Sequence, residues 1–167
     1  MADAPLPPLT PERPEQAGEV EDLIDAAFGP GRHAKAAERL RETNTPDLSL
    51  SRVAIDASGR IVGCSQMWPI HIGDTPALLL GPFAVDKDWR SKGLGAALIA
   101  ACCEAAEAAG HALVLLVGDA PYFGKLGFEG VDRKAVSLPG PVDMRRVLVR
   151  PLKPGAAEGL SGEVTPG

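Results

Sequence analysis

The chain has 167 residues, 45% of them hydrophobic but only 4% aromatic, and a formal net charge of −5. That length suits one domain with a real core, packed chiefly by Ala, Leu and Val. The acidic balance argues against nucleic acid as a partner. No apolar run approaches the ~20 residues that span a bilayer. The Pro-rich, acidic opening also lacks the basic-then-apolar order of a signal peptide, so a cytoplasmic protein with no membrane partner is expected.

Residues 1–8 are expected to be a flexible N-terminus, followed by a short strand near Leu9. Residues 15–28 form a helical pattern, with Ala17, Val20, Leu23, Ile24 and Ala27 recurring every three or four positions until Gly29. A second amphipathic helix is predicted over 34–42, ending before Asn44-Thr45-Pro46. Segments 48–55 and 60–67 predict an antiparallel pair turned at Asp56-Ala57-Ser58-Gly59. The strand 77–85 follows, and Pro82 inside it cannot donate to a ladder, so the strand is expected to be unpaired or bulged there.

A helix is predicted from Ser91 to Gly110, burying Leu94, Leu98, Ala101, Cys102 and Ala105. Residues 112–117 have the uninterrupted apolar character of a strand covered on both faces. Asp119 two residues before Pro121 suits a helix N-cap, and Gly127 suits the end of that short helix. A last strand is predicted over 144–152 with Arg145, Arg146 and Arg150 on a solvated face, and then a Gly/Pro-rich tail over 153–167, only partly ordered. Cys64, Cys102 and Cys103 make an odd count without metal-ligand spacing. No metal is expected, and the thiols read as small packing residues.

Chemistry concentrates between Leu78 and Phe128. A glycine-containing loop, Arg90-Ser91-Lys92-Gly93-Leu94-Gly95, opens a helix directly after a strand. Unpaired backbone N–H groups and the helix dipole make such a junction a place to hold a pyrophosphate. Walker-type spacing is absent. The dinucleotide fingerprint fails at its third glycine, where Leu98 stands.

The pattern Arg90-x-x-Gly93-x-Gly95 resembles motif A of the GNAT superfamily of acetyl-CoA-dependent N-acetyltransferases. Tyr122-Phe123-Gly124-Lys125-Leu126-Gly127-Phe128 resembles its motif B, while Leu80-Gly81-Pro82 and Val117-Gly118-Asp119 resemble a YhbS-like bacterial branch. The resemblance extends over 9–152 and implies an α/β fold: one mixed, largely antiparallel sheet, splayed between the strands ending at Val85 and Val117, with helices on both faces. It further implies acetyl-CoA as acyl donor, held by the main chain of Phe83, Ala84 and Val85 and by the cradle Arg90, Ser91, Lys92, Gly93, Leu94, Gly95 and Ala96. The acceptor would be a primary amine, of a small molecule or a protein, attacking directly in a ternary complex. The assembly would be a monomer or a homodimer. A non-catalytic acyl-CoA-binding module is the alternative.

Within that resemblance the usual tyrosine position is filled by Phe123, which has no proton to give and reads as a wall of the thioester site. Tyr122, one residue earlier and about 100° around the helix, is the candidate general acid. Asp119 and His71 are weak candidates for the base, with water as the default proton carrier.

Overall fold

The computed structural model describes residues 5–29 and 36–167, so the expectations for 1–4 and 30–35 lie outside the described residues. The strands, in chain order, are β1 (Leu9–Pro11), β2 (Arg52–Ile55), β3 (Ile61–Ile72), β4 (Thr75–Val85), β5 (Leu113–Val117), β6 (Glu129–Gly130), β7 (Val136–Ser137), β8 (Val147–Pro151) and β9 (Gly162–Pro166). The α-helices are α1 (Ala17–Phe28), α2 (Ala36–Arg39), α3 (Leu94–Ala108) and α4 (Ala120–Gly124). The main sheet runs β1-β2-β3-β4-β5-β8-β6, antiparallel everywhere except between β4 and β5.

Alternation along the strands sends side chains to two faces. On one face Val20 and Ile24 of α1 pack with Val53, Cys64 and Ala84. On the other, α3 applies Leu94 and Leu98 to Ala54 and Val62. Further along, its Ile99, Cys102 and Cys103 meet Met67, Leu78, Leu80 and Val114. Burying so many aliphatic side chains, at about 1.5–3 kcal/mol each, lets a chain with few aromatics form this core.

Several boundaries expected from sequence need correction: the described part of the second helix ends at Arg39 rather than at residue 42, and the strand expected over 48–55 starts at Arg52. The helix opening the phosphate-type loop starts at Leu94 rather than Ser91, because Ser91 (φ 62°) and Gly93 (φ 87°) are left-handed. The last strand starts at Val147, and Arg145 and Arg146 belong instead to a 3-10 turn, Met144–Arg146, that Asp143 caps. The C-terminal segment is no loose tail. Its β9 pairs antiparallel with β3 through Ile70↔Pro166, His71↔Thr165 and Ile72↔Val164, and Val164 is fully buried among Ile70, Ile72 and Leu79. β3 accordingly continues well beyond Met67, to Ile72, supplying the edge that β9 covers.

Candidate active site at the gap between two parallel strands

β4 and β5 are paired only at Leu78↔Val114 and Leu79↔Leu115. Beyond Leu79 they part, and the cause lies in β4. Ser65 pairs with Phe83 and Met67 with Leu80, so Gly81 and Pro82 together face the single residue Gln66. This is the bulge expected from Pro82. Trp68, nine-tenths buried, fixes it by donating its indole N–H to the Gly81 carbonyl at 2.7 Å. That bond gives Trp68 a role in the fold.

Past the bulge, hydrogen bonding in β4 is divided between two sides. Asp86 N donates to Val62 O at 2.8 Å, so by antiparallel alternation Ala84 exchanges bonds with Cys64. The N–H and C=O groups of Phe83 and Val85 therefore point away from β3, into the gap. Ala84, grouped with them from the sequence, has its main chain engaged by β3 and its side chain under α1. On the gap side, the Val85 carbonyl accepts from Arg90 Nε at 3.3 Å.

The start of α3 stands beside this exposed backbone. The first helical bond runs from Ala97 N to Gly93 O at 3.1 Å, which leaves the N–H groups of Leu94, Gly95 and Ala96 without intrahelical acceptors. Gly93 is required here by its left-handed φ, and nothing lies within 4 Å of where its Cβ would be, so the approach to the helix end is open. Lys92 Nζ sits 5.3 Å over the Trp89 ring, and Leu94 turns its side chain into the core while its backbone stays at the helix start. Together these groups form a donor cradle with a positive rim, of the chemistry that receives a pyrophosphate.

The other wall of the gap is α4. Asp119 caps it by accepting from Tyr122 N at 3.1 Å. The carboxylate expected to act as a cap or as a base is thus engaged as a cap. Tyr122 is half exposed, and its hydroxyl is directed at the first turn of α3: a Cβ on Gly95 would lie 3.5 Å from it. Phe123 is buried, in edge-to-face contact with Phe83, Tyr122 and Phe128 at 5.7, 4.9 and 5.9 Å. It holds the wall of the gap in place.

A cavity of about 490 Å³ occupies the gap, lined by Leu80 to Phe83, by Val117, Gly118, Asp119, Tyr122 and Phe123, and on its outer side by Phe28, Arg41, Val142 and Arg146. Of these outer residues only Arg146 was singled out in the sequence, as part of a solvated face, and it lines the cavity instead. The outer residues come from the end of α1, the turn after α2 and the segment before β8, and only the fold brings them together. His71 is excluded by position. It pairs with Pro76, near the start of β4, roughly 20 Å of strand away from the bulge. Burial pushes the Cys64 and Cys102 thiols up to about 12 and raises Cys103 as well, so none is a ready nucleophile.

A bulged strand parting from a parallel neighbour beside a donor-rich helix start is the architecture of an acyl-CoA transferase. Residues 49–130 match the family model described as an acetyltransferase (GNAT) domain. Among similar proteins, the uncharacterized N-acetyltransferase YhbS of Escherichia coli K12 is 27% identical over 155 residues, covering 92% of each chain. The crystal structure of Escherichia coli YhbS in complex with CoA superposes with a TM-score of 0.82 at 24% identity, covering 100% of this chain and 93% of that one. A GNAT family acetyltransferase from Brucella melitensis in complex with acetyl-CoA superposes with a TM-score of 0.70 at 23% identity, covering 96% and 95%. Among the described residues no helix is long and apolar enough to cross a membrane.

Proposed function

We propose that the protein transfers the acetyl group of acetyl-CoA to a primary amine by direct attack within a ternary complex. The observation that carries this reading is the adjacency of two backbone surfaces without a strand or helix partner, Phe83 and Val85 on β4 and the first turn of α3. The pantetheine arm, an amide chain, would add to β4 as a short strand does. The pyrophosphate would sit on the N–H groups of Leu94 to Ala96, with Arg90 and Lys92 supplying charge. CoA and acetyl-CoA bound to the similar proteins support this placement.

In the reaction the neutral amine forms a bond to the thioester carbonyl carbon, and the C–S bond breaks. The departing thiolate takes a proton. Tyr122, at the rim of the cavity, is the phenol available for that step, since a phenol near 10 can protonate a thiolate near 8.5. Phe123 shapes the wall and Asp119 holds the first turn of α4. Catalysis then rests on positioning the two reactants, with no acetyl-enzyme.

Calorimetric titration with acetyl-CoA tests the donor site, with desulfo-CoA and NADH as controls. Saturable acetyl-CoA binding that Gly93→Asp abolishes, followed by amine-dependent release of free thiol, is the expected result. Absence of binding to any acyl-CoA would overturn the reading.

A further inference from the structure

An amine arrives carrying a proton, and the two carboxylates that line the gap, Asp119 and Asp143, are both engaged as helix caps. On the α1 face of the sheet, Glu12 is 5% exposed and buried. Its two carboxylate oxygens accept from Gln66 Nε2 at 3.1 and 3.3 Å. Gln66 is the residue facing the Gly81–Pro82 bulge. Glu12 and Gln66 line a cavity of about 440 Å³ whose walls include Pro82 and Arg41, and both of these also line the cavity in the gap. Pro82 of the bulge and Arg41 thus form a wall common to the two spaces, with Glu12 and Gln66 on one side of it and the gap on the other.

From this placement, and resting on the transferase reading above, we propose that Glu12 is the proton acceptor for the incoming ammonium group. The ammonium N–H bond breaks and the proton goes to the Glu12 carboxylate. The freed nitrogen lone pair then attacks the thioester carbon and the C–S bond breaks; the thiolate takes the Tyr122 proton, the second proton that the nitrogen sheds in becoming an amide restores that phenol, and the Glu12 carboxylic acid returns its proton to solvent.

The surroundings suit the task. Burial raises the Glu12 pKa above its ordinary value, and the Gln66 amide opposes that rise. The charged groups facing the same cavity are Glu21 of α1 and Glu38 and Arg41 of the α2 region, with Arg41 tied to Glu38 at 2.9 Å. The Cys64 thiol on β3 also lies close enough to feel the Glu12 charge, and burial keeps that thiol protonated.

The test uses the full chain, acetyl-CoA and the amine giving fastest thiol release in a screen of a lysine peptide, spermidine, an amino acid and an aminoglycoside. In the wild type, kcat/KM should be flat between the Glu12 and amine pKa values. In Glu12→Gln it should fall about 10²-fold at neutral pH and rise tenfold per pH unit up to the amine pKa, near 10.4 for a lysine side chain. Acetyl-CoA affinity should not change. Glu12→Asp should recover part of the loss. Gln66→Leu, which removes the opposing amide, should move the acid limb to higher pH. A Glu12→Gln variant that keeps the wild-type profile, or a Glu12 resonance titrating in the ordinary carboxylate range by ¹³C NMR, would overturn the proposal alone. Absence of turnover with every amine would overturn the transferase reading and this proposal together, while acetyl-CoA binding would still report on the donor site.

Discussion

The Phe123 ring stands where a side chain on Gly118 would have to go: a Cβ built on Gly118 would lie 2.8 Å from Phe123 Cδ2. The end of β5 and the helix that closes the gap are thus fitted to each other through one missing side chain. Gly118→Ala should force the ring off its contacts with Phe83 and Phe128. A loss of about 1–3 kcal/mol in denaturant unfolding is expected, together with weaker acetyl-CoA binding. An unchanged midpoint would mean that the ring has room to move.

Burial of Phe123 also bears on the missing tyrosine. Phe123→Tyr would introduce a hydroxyl on a ring that is 3% exposed and packed against Phe83 and Phe128. An unsatisfied buried hydroxyl costs about 1–3 kcal/mol, so this change should lower stability. Tyr122→Phe removes an exposed phenol instead and should leave stability unchanged while slowing thiol release by about 10²-fold. Thermal melts and steady-state rates on the two variants separate the effects; an equal rate for Tyr122→Phe would remove Tyr122 as the acid.

Stability should carry the signature of Glu12. Its pKa is raised in the folded state by burial, so between the ordinary value of 4.5 and the raised one the native state binds more protons than the unfolded chain. Stability therefore falls as pH rises through that window, and the full penalty is present above the folded pKa. Relative to wild type, Glu12→Gln should gain in melting temperature from pH 4 to pH 8. A difference that does not vary with pH would show that the carboxylate is ordinary.

The three thiols should resist alkylation at neutral pH. Cys64, Cys102 and Cys103 are all buried, and a thiol pushed up to about 12, as for Cys64 and Cys102, has almost no thiolate at pH 7. Mass spectrometry after iodoacetamide should find no label on the native protein and three on the denatured chain. Labelling of the native protein would place a thiol at the surface.

Removing β9 should matter more than removal of a loose tail would. Truncation after Leu160 uncovers the buried Val164 contact, worth about 1.5–3 kcal/mol, and exposes the Ile70 to Ile72 edge of β3. Lower unfolding midpoints and concentration-dependent association are expected. Light scattering and melts checked at two concentrations would show either effect, and a truncated chain as stable and monodisperse as the full one would count against both.

The residues themselves announced most features that depend on neighbours in the chain, though not the left-handed Ser91 that delays α3 or the turn that Asp143 caps. Apolar spacing marked α1 and α3, Asp119 before Pro121 marked the cap, and Pro82 marked the bulge, since each follows from backbone geometry over a few residues. The order strand, glycine loop, helix, strand likewise carried the donor site, because a helix start exposes its own N–H groups wherever it occurs.

What the sequence left open was decided by contacts between distant segments. Gln66 meets Glu12 across 54 residues, β9 finds β3 across more than 90, and Phe28, Arg41 and Arg146 converge on one cavity from three separate stretches. Nothing in the local pattern of a Gly/Pro-rich tail or a lone glutamate after a three-residue strand distinguishes a solvated residue from a buried one. Burial, and with it the shift of a pKa, exists only after the chain has closed on itself and water has been excluded.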